Sequence, residues 1–135
     1  MTHMAIAIVG LYAGLNTLIL LWIAIATGQL RAKYKISIGD GGNLHMIRIM
    51  RGHANAVENV PMAIILMIIM GFLGAPIYVL HAFGIALTIG RFCHAIHFTK
   101  EDAPGWQRAA GASLSMLVLA LGALGVIGHT VVLLF

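Results

Sequence analysis

The chain reads as an all-α protein, an integral membrane four-helix bundle. Three observations predict this. Of 135 residues, 61% are hydrophobic and only 9% charged, against about 25% charged in a soluble domain. The apolar residues gather into four segments, roughly 4–30, 44–73, 76–98 and 107–134, each reaching the ~20 residues that a spanning helix needs. All eight Lys and Arg residues lie at one end of those segments or in the connections there. The length suits one compact unit over 1–135. The net charge of +4 sits in two patches. No solvated basic face of the kind nucleic acid requires is visible, so no nucleic-acid partner is expected.

The first segment begins within "MTHMAIAIVG", which lacks a basic n-region. Its apolar run is too long for a signal-peptide core, so it is expected to stay as helix 1. The connection "RAKYKISIGDGGN" carries Arg31, Lys33 and Lys35. Its glycines at 39, 41 and 42 permit turns, and Asn43 is of the type that caps a helix N-terminus. Helices 2 and 3 are joined by the uncharged "GFLGAP". Helices 3 and 4 are joined by "HFTKEDAPGWQR", with Lys100 and Arg108, and Pro104 marks the break before helix 4. The positive-inside rule puts the charged connections in the cytoplasm and both termini on the other face. Small residues recur four apart at Gly10 and Gly14, at Ala82, Ala86 and Gly90, and at Gly111 and Ser115. Such stripes let helices approach closely in lipid. Cys93 is the single cysteine, so no intramolecular disulfide can form.

Helix 2 carries the unusual chemistry. Arg48, Arg51, Asn55 and Glu58 are spaced three, four and three apart, and on a helix they fall within an arc of roughly 80°. A charge at membrane depth costs ~2.5–3.5 kcal/mol on insertion scales, so the stripe must meet protein, water or a ligand. Asn55 stands where it could bridge Arg51 and Glu58. The excess of donors suits an anionic ligand. Alternatively, these residues pair with other helices and only hold the bundle together. His53 faces away from the stripe. On helix 3, Arg91, His94 and Phe98 share a face, with His97 off to one side, and Arg108 begins helix 4 at the same level. His94 and His97 lack the i, i+4 spacing of a helical metal pair, and no carboxylate stands beside them, so no metal site is expected.

The pattern R-x-x-x-N-x-x-E-x-x-P on the second of four helices, here Arg51, Asn55, Glu58 and Pro61, followed by Arg91 and His94 on the third, resembles the signature of the MAPEG family, the membrane-associated proteins in eicosanoid and glutathione metabolism. The family includes microsomal glutathione transferases and the leukotriene C and prostaglandin E synthases. The wider stretch "GDGG…IRIMRGHANAVENVPMAIILM" is similar to a small bacterial inner-membrane branch. The resemblance implies a homotrimer binding glutathione between subunits near the cytosolic face. It implies that Glu58 takes the γ-glutamyl ammonium and that the arginines take carboxylates. Arg48, Arg91, His94 and Phe98 would complete the glutathione site, and Arg108 would be the catalytic group facing the thiol. Phe98 falls where glutathione-using members carry a tyrosine, and Asn59 where some carry an aromatic hydroxyl.

The expected activity is that of a membrane-bound glutathione transferase acting on hydrophobic electrophiles from the bilayer, with glutathione as cosubstrate. A member that binds lipid or a thiol without turnover is the alternative. A small four-helix transporter using Glu58 is a third reading, and Arg48 and Arg51 on the same face would repel its cationic substrates.

Overall fold

The computed structural model describes residues 3–135. Four helices account for nearly all of them: α1 (His3–Tyr34), α2 (Leu44–Phe72), α3 (Ile77–Thr99) and α4 (Gly105–Leu134). Each is long and apolar enough to cross a membrane. α1 runs four residues beyond the expected end. Gln29, Ala32 and Lys33 are tolerant of helix, and Arg31 and Lys33 in the last turn suit its negative dipole end. The helix ends where Lys35 turns into the left-handed region at φ 55°.

The following connection is built as its glycines suggest, with Gly39, Gly41 and Gly42 all at positive φ. Arg31 staples it back, donating from Nη1 to the Gly39 carbonyl at 2.9 Å. Asn43 then caps α2, its side chain accepting from the Met46 amide at 3.0 Å. Pro61 lies inside α2 without ending it. Its ring removes one helical donor, which a long membrane helix tolerates.

Among the described residues, α1 packs on α2 and α3, and α4 packs on α3 and α2, while α1 and α4 do not meet. The bundle is therefore a diamond with α2 and α3 along its short diagonal. Its core has two main clusters. Toward the termini, Ile8, Val9 and Tyr12 meet Met67, Met70 and Leu80. Toward the charged connections, Ile23 meets Met46, Ile49, Ala56 and Ala95.

Close approaches decide the register. The Gly90–Gly111–Ser115 set joins α3 to α4: a Cβ on Gly111 would stand 2.6 Å from the Gly90 carbonyl oxygen. Ala82, four residues before Ala86 on the same stripe, is exposed. Gly10 and Gly14 differ, since nothing lies within 4 Å of where their Cβ atoms would be. Their GxxxG spacing makes no helix contact within the described chain.

Candidate functional site

A cavity of about 610 Å³ opens between α2 and α4 over a floor from α3. That size lies within the ~300–1,000 Å³ of small-molecule sites. α2 contributes Arg48, Arg51, Asn55 and Glu58, with Ile47 and Ala54 beside them; α3 contributes His94 and Phe98; α4 contributes Arg108 and Ala112. Seven of the eight residues singled out from the sequence thus line one space. Three guanidinium groups face it and one carboxylate does, so its electrostatics favour an anion that also carries a positive group.

The eighth residue, Arg91, lies beneath the cavity and is only 2% exposed. Its Nη1 donates to Asn55 Oδ1 at 2.8 Å. Asn55 therefore ties α2 to α3 and does not bridge Arg51 to Glu58. A helical wheel gives the face of a side chain, but the depth of the neighbouring helix decides which partner it reaches. Arg91 Nε and Nη2, and His94 Nδ1, are buried without a hydrogen-bond partner. Arg51, Glu58 and Arg108 are exposed on the single chain.

Arg48 is held from the other side. Nη1 donates to the Glu101 carbonyl at 2.6 Å, and Nη2 reaches the His97 carbonyl at 3.3 Å and His97 Nε2 at 3.2 Å. His97 Nδ1 stands 3.2 Å from the Pro104 carbonyl. An arginine can only donate and a carbonyl can only accept. The neutral tautomer that satisfies both partners has the proton on Nδ1 and accepts at Nε2. His97, which the helical spacing sets aside, thus fastens a cavity arginine to the α3–α4 connection.

Phe98 forms part of a ring cluster, 4.7 Å from His94 and 4.9 Å from His97 between centroids. It sits on Gly52, where a Cβ would be 2.5 Å from Phe98 Cγ. Gly52 escaped the sequence reading. A glycine inside a helix gives up ~0.5–1 kcal/mol relative to alanine, and that penalty was the available signal that something must approach closely. His53 faces a separate groove with Arg31, Thr27 and Met50. Among the described residues no three His, Cys, Asp or Glu side chains converge in a way that could hold a metal ion.

The MAPEG family model matches residues 9–128. The chain belongs to the MAPEG family. Two relatives, both named inner membrane protein YecN, come from Escherichia coli strain K12 and from Escherichia coli O6:H1. Each is 37% identical over 114 residues, covering 82% of this chain and 86% of its own. Within this MAPEG protein, the matched span contains every residue that lines the cavity, together with Arg91 beneath it.

Proposed function

We propose that this MAPEG protein is a membrane-bound glutathione transferase, working as a homotrimer in a bacterial inner membrane. The observation that carries the reading is the convergence of Arg51, Asn55, Glu58, His94 and Arg108 on one cavity near the charged connections. Glutathione bears two carboxylates and an ammonium, the complement of a site with three guanidinium groups and one carboxylate. Glu58 lies two helical turns, about 10 Å, along α2 from Arg51. The peptide's ammonium would sit at the Glu58 end and a carboxylate at the Arg48–Arg51 end.

A free thiol ionises near pH 8.5, so little thiolate exists at neutral pH. A guanidinium cannot give up its proton, and beside the sulfur it favours the anion. Arg108, at the start of α4, is assigned that role. The thiol proton leaves to water, and the thiolate attacks an electrophilic carbon of a substrate dissolved in the bilayer. A carbon–sulfur bond forms as the carbon's bond to a leaving group such as halide breaks, and that group departs with the electron pair. The polar cosubstrate enters from water.

That the site needs a second copy has a physical argument, while the number three is what the family resemblance implies. Arg51, Glu58 and Arg108 belong to membrane-length helices yet are exposed on one chain. Lipid is a poor neighbour for such groups, and a second copy with a bound zwitterionic peptide removes the conflict. The inner-membrane location follows from the YecN relatives.

Calorimetry with glutathione on purified protein in detergent tests the reading. Saturable binding is expected, with Arg51→Ala weakening it at least tenfold, equivalent to ~1.4 kcal/mol, while the bundle still assembles. Absence of binding at millimolar glutathione would overturn it. Phe98 favours a second reading, in which the protein binds its ligands without turnover, because its ring has no hydroxyl to offer a thiolate. Saturable glutathione binding with no conjugation across a panel of electrophiles would select that reading.

A further inference from the structure

The contact between Arg91 and Asn55 fixes more than the packing of α3 on α2. Asn55 has an oxygen that can only accept and a nitrogen that can only donate, and the two are often hard to tell apart. Here the partner removes the ambiguity. Arg91 carries donors only, so the atom 2.8 Å from its Nη1 is Oδ1. The opposite end of the amide is therefore Nδ2, with two hydrogens, on a residue that lines the cavity. Asn59 has its own amide nitrogen occupied, donating to the Asn55 backbone carbonyl at 2.7 Å, so it does not compete for the side chain.

We propose that Arg91 is a positioning residue that never touches the ligand: from beneath the cavity it locks the Asn55 amide so that Nδ2 is presented as a donor to an acceptor atom of the anionic peptide. The inference rests on the glutathione reading for the identity of that peptide, and it departs from a role for Arg91 as a direct carboxylate contact. Burial supports it. Arg91 is 2% exposed and does not line the cavity, whereas Asn55 does. The arrangement gives the middle of the α2 stripe a fixed polarity. Arg51 donates, Asn55 donates, and Glu58 accepts, in that order along the helix. A ligand must therefore place its acceptors over the first two positions and its ammonium over the third.

The discriminating variant is Asn55→Asp. It has the same shape and keeps an oxygen for Arg91, now as an ion pair, but it turns an acceptor toward the cavity in place of a donor. If Asn55 mattered only as a tie between helices, Asp would serve as well. Glutathione affinity by calorimetry, and thermal midpoint without ligand, would be measured on full-length wild type, Asn55→Asp, Asn55→Ala, Arg91→Met and the Arg91→Met/Asn55→Ala double variant. Asn55→Asp is expected to keep or raise the midpoint and to lose about tenfold or more in affinity, as expected when a hydrogen bond to a charged group is lost. Arg91→Met and Asn55→Ala are expected to lose similar factors, and the double variant no more than either.

Wild-type affinity in Asn55→Asp, or a double variant whose loss is the product of the two single losses, would overturn the proposal. Failure of wild type to bind glutathione would overturn the transferase reading alone. The coupling is then read on the thermal midpoints, where simple additivity of the single variants overturns the Arg91–Asn55 lock and non-additivity sustains it.

Discussion

At Gly84, a Cβ would run into the ring of Tyr12 on α1. Tyr12 then reaches past that glycine, its hydroxyl 2.8 Å from His81 Nδ1. One turn along, Asn16 Nδ2 donates to Thr88 Oγ1 at 2.9 Å. Ring against glycine and amide against hydroxyl both hold α1 to α3, and their magnitudes differ. An added methyl against a rigid ring costs about 1–3 kcal/mol. An interhelical polar contact inside a membrane averages only ~0.6 kcal/mol, because the separated helices find other partners. Gly84→Ala should therefore lower the thermal midpoint in detergent more than Asn16→Ala. The reverse order would mean that the polar pair, and not the close approach, seats α1. None of this was legible in the sequence, because a glycine becomes a socket only when a residue far away in the chain supplies the knob. The Arg48–Arg51–Asn55–Glu58 stripe was legible, because the 3.6-residue period of one helix determines it. The partner of Asn55 was not, since that depends on where α3 lies.

The helices themselves could be read to within about four residues at each end, since a long apolar run leaves the chain no other way to satisfy its backbone in lipid. Their pairing was harder. Three small-residue stripes had equal standing in the sequence. The structure gives Gly90, Gly111 and Ser115 a role in the α3–α4 contact, while Gly10 and Gly14 touch nothing among the described residues. The α3–α4 contact also sets the height of Arg108 against His94, because Gly111 would meet His94 Cβ at 2.8 Å as well as the Gly90 carbonyl. A backbone oxygen cannot swing aside, so Gly111→Ala must push α4 outward. Both the thermal midpoint and glutathione affinity should fall. Gly125→Ala, where nothing lies within 4 Å, should change neither. Equal behaviour of the two variants would show that α4 is not positioned by this contact.

For the whole molecule, the charge distribution predicts one orientation. The basic residues lie in the α1–α2 and α3–α4 connections or in the stretches of helix that lead into and out of them, and the α2–α3 connection holds none. In a Cys93→Ala background, Ile38→Cys, at the 88% exposed tip of the first connection, should react with a membrane-impermeant thiol reagent only in inverted vesicles. Tyr78→Cys, at the opposite end and 74% exposed, should react only in right-side-out spheroplasts. The opposite pattern would reverse the topology and put the cavity mouth on the outer side.

The diamond arrangement has a consequence for how this chain tolerates change. α4 buries only Gly111, Ser115, Val118 and Gly122, a single line of three small residues and one valine at alternating steps of four and three. Positions such as Leu117, Leu121, Leu124 and Ile127 point outward, where one aliphatic side chain serves as well as another. Drift along this helix is therefore nearly free on its broad flank and tightly checked on a seam one residue wide. A lineage could rewrite most of α4 and still hold Arg108 in its place, provided those four positions kept their size.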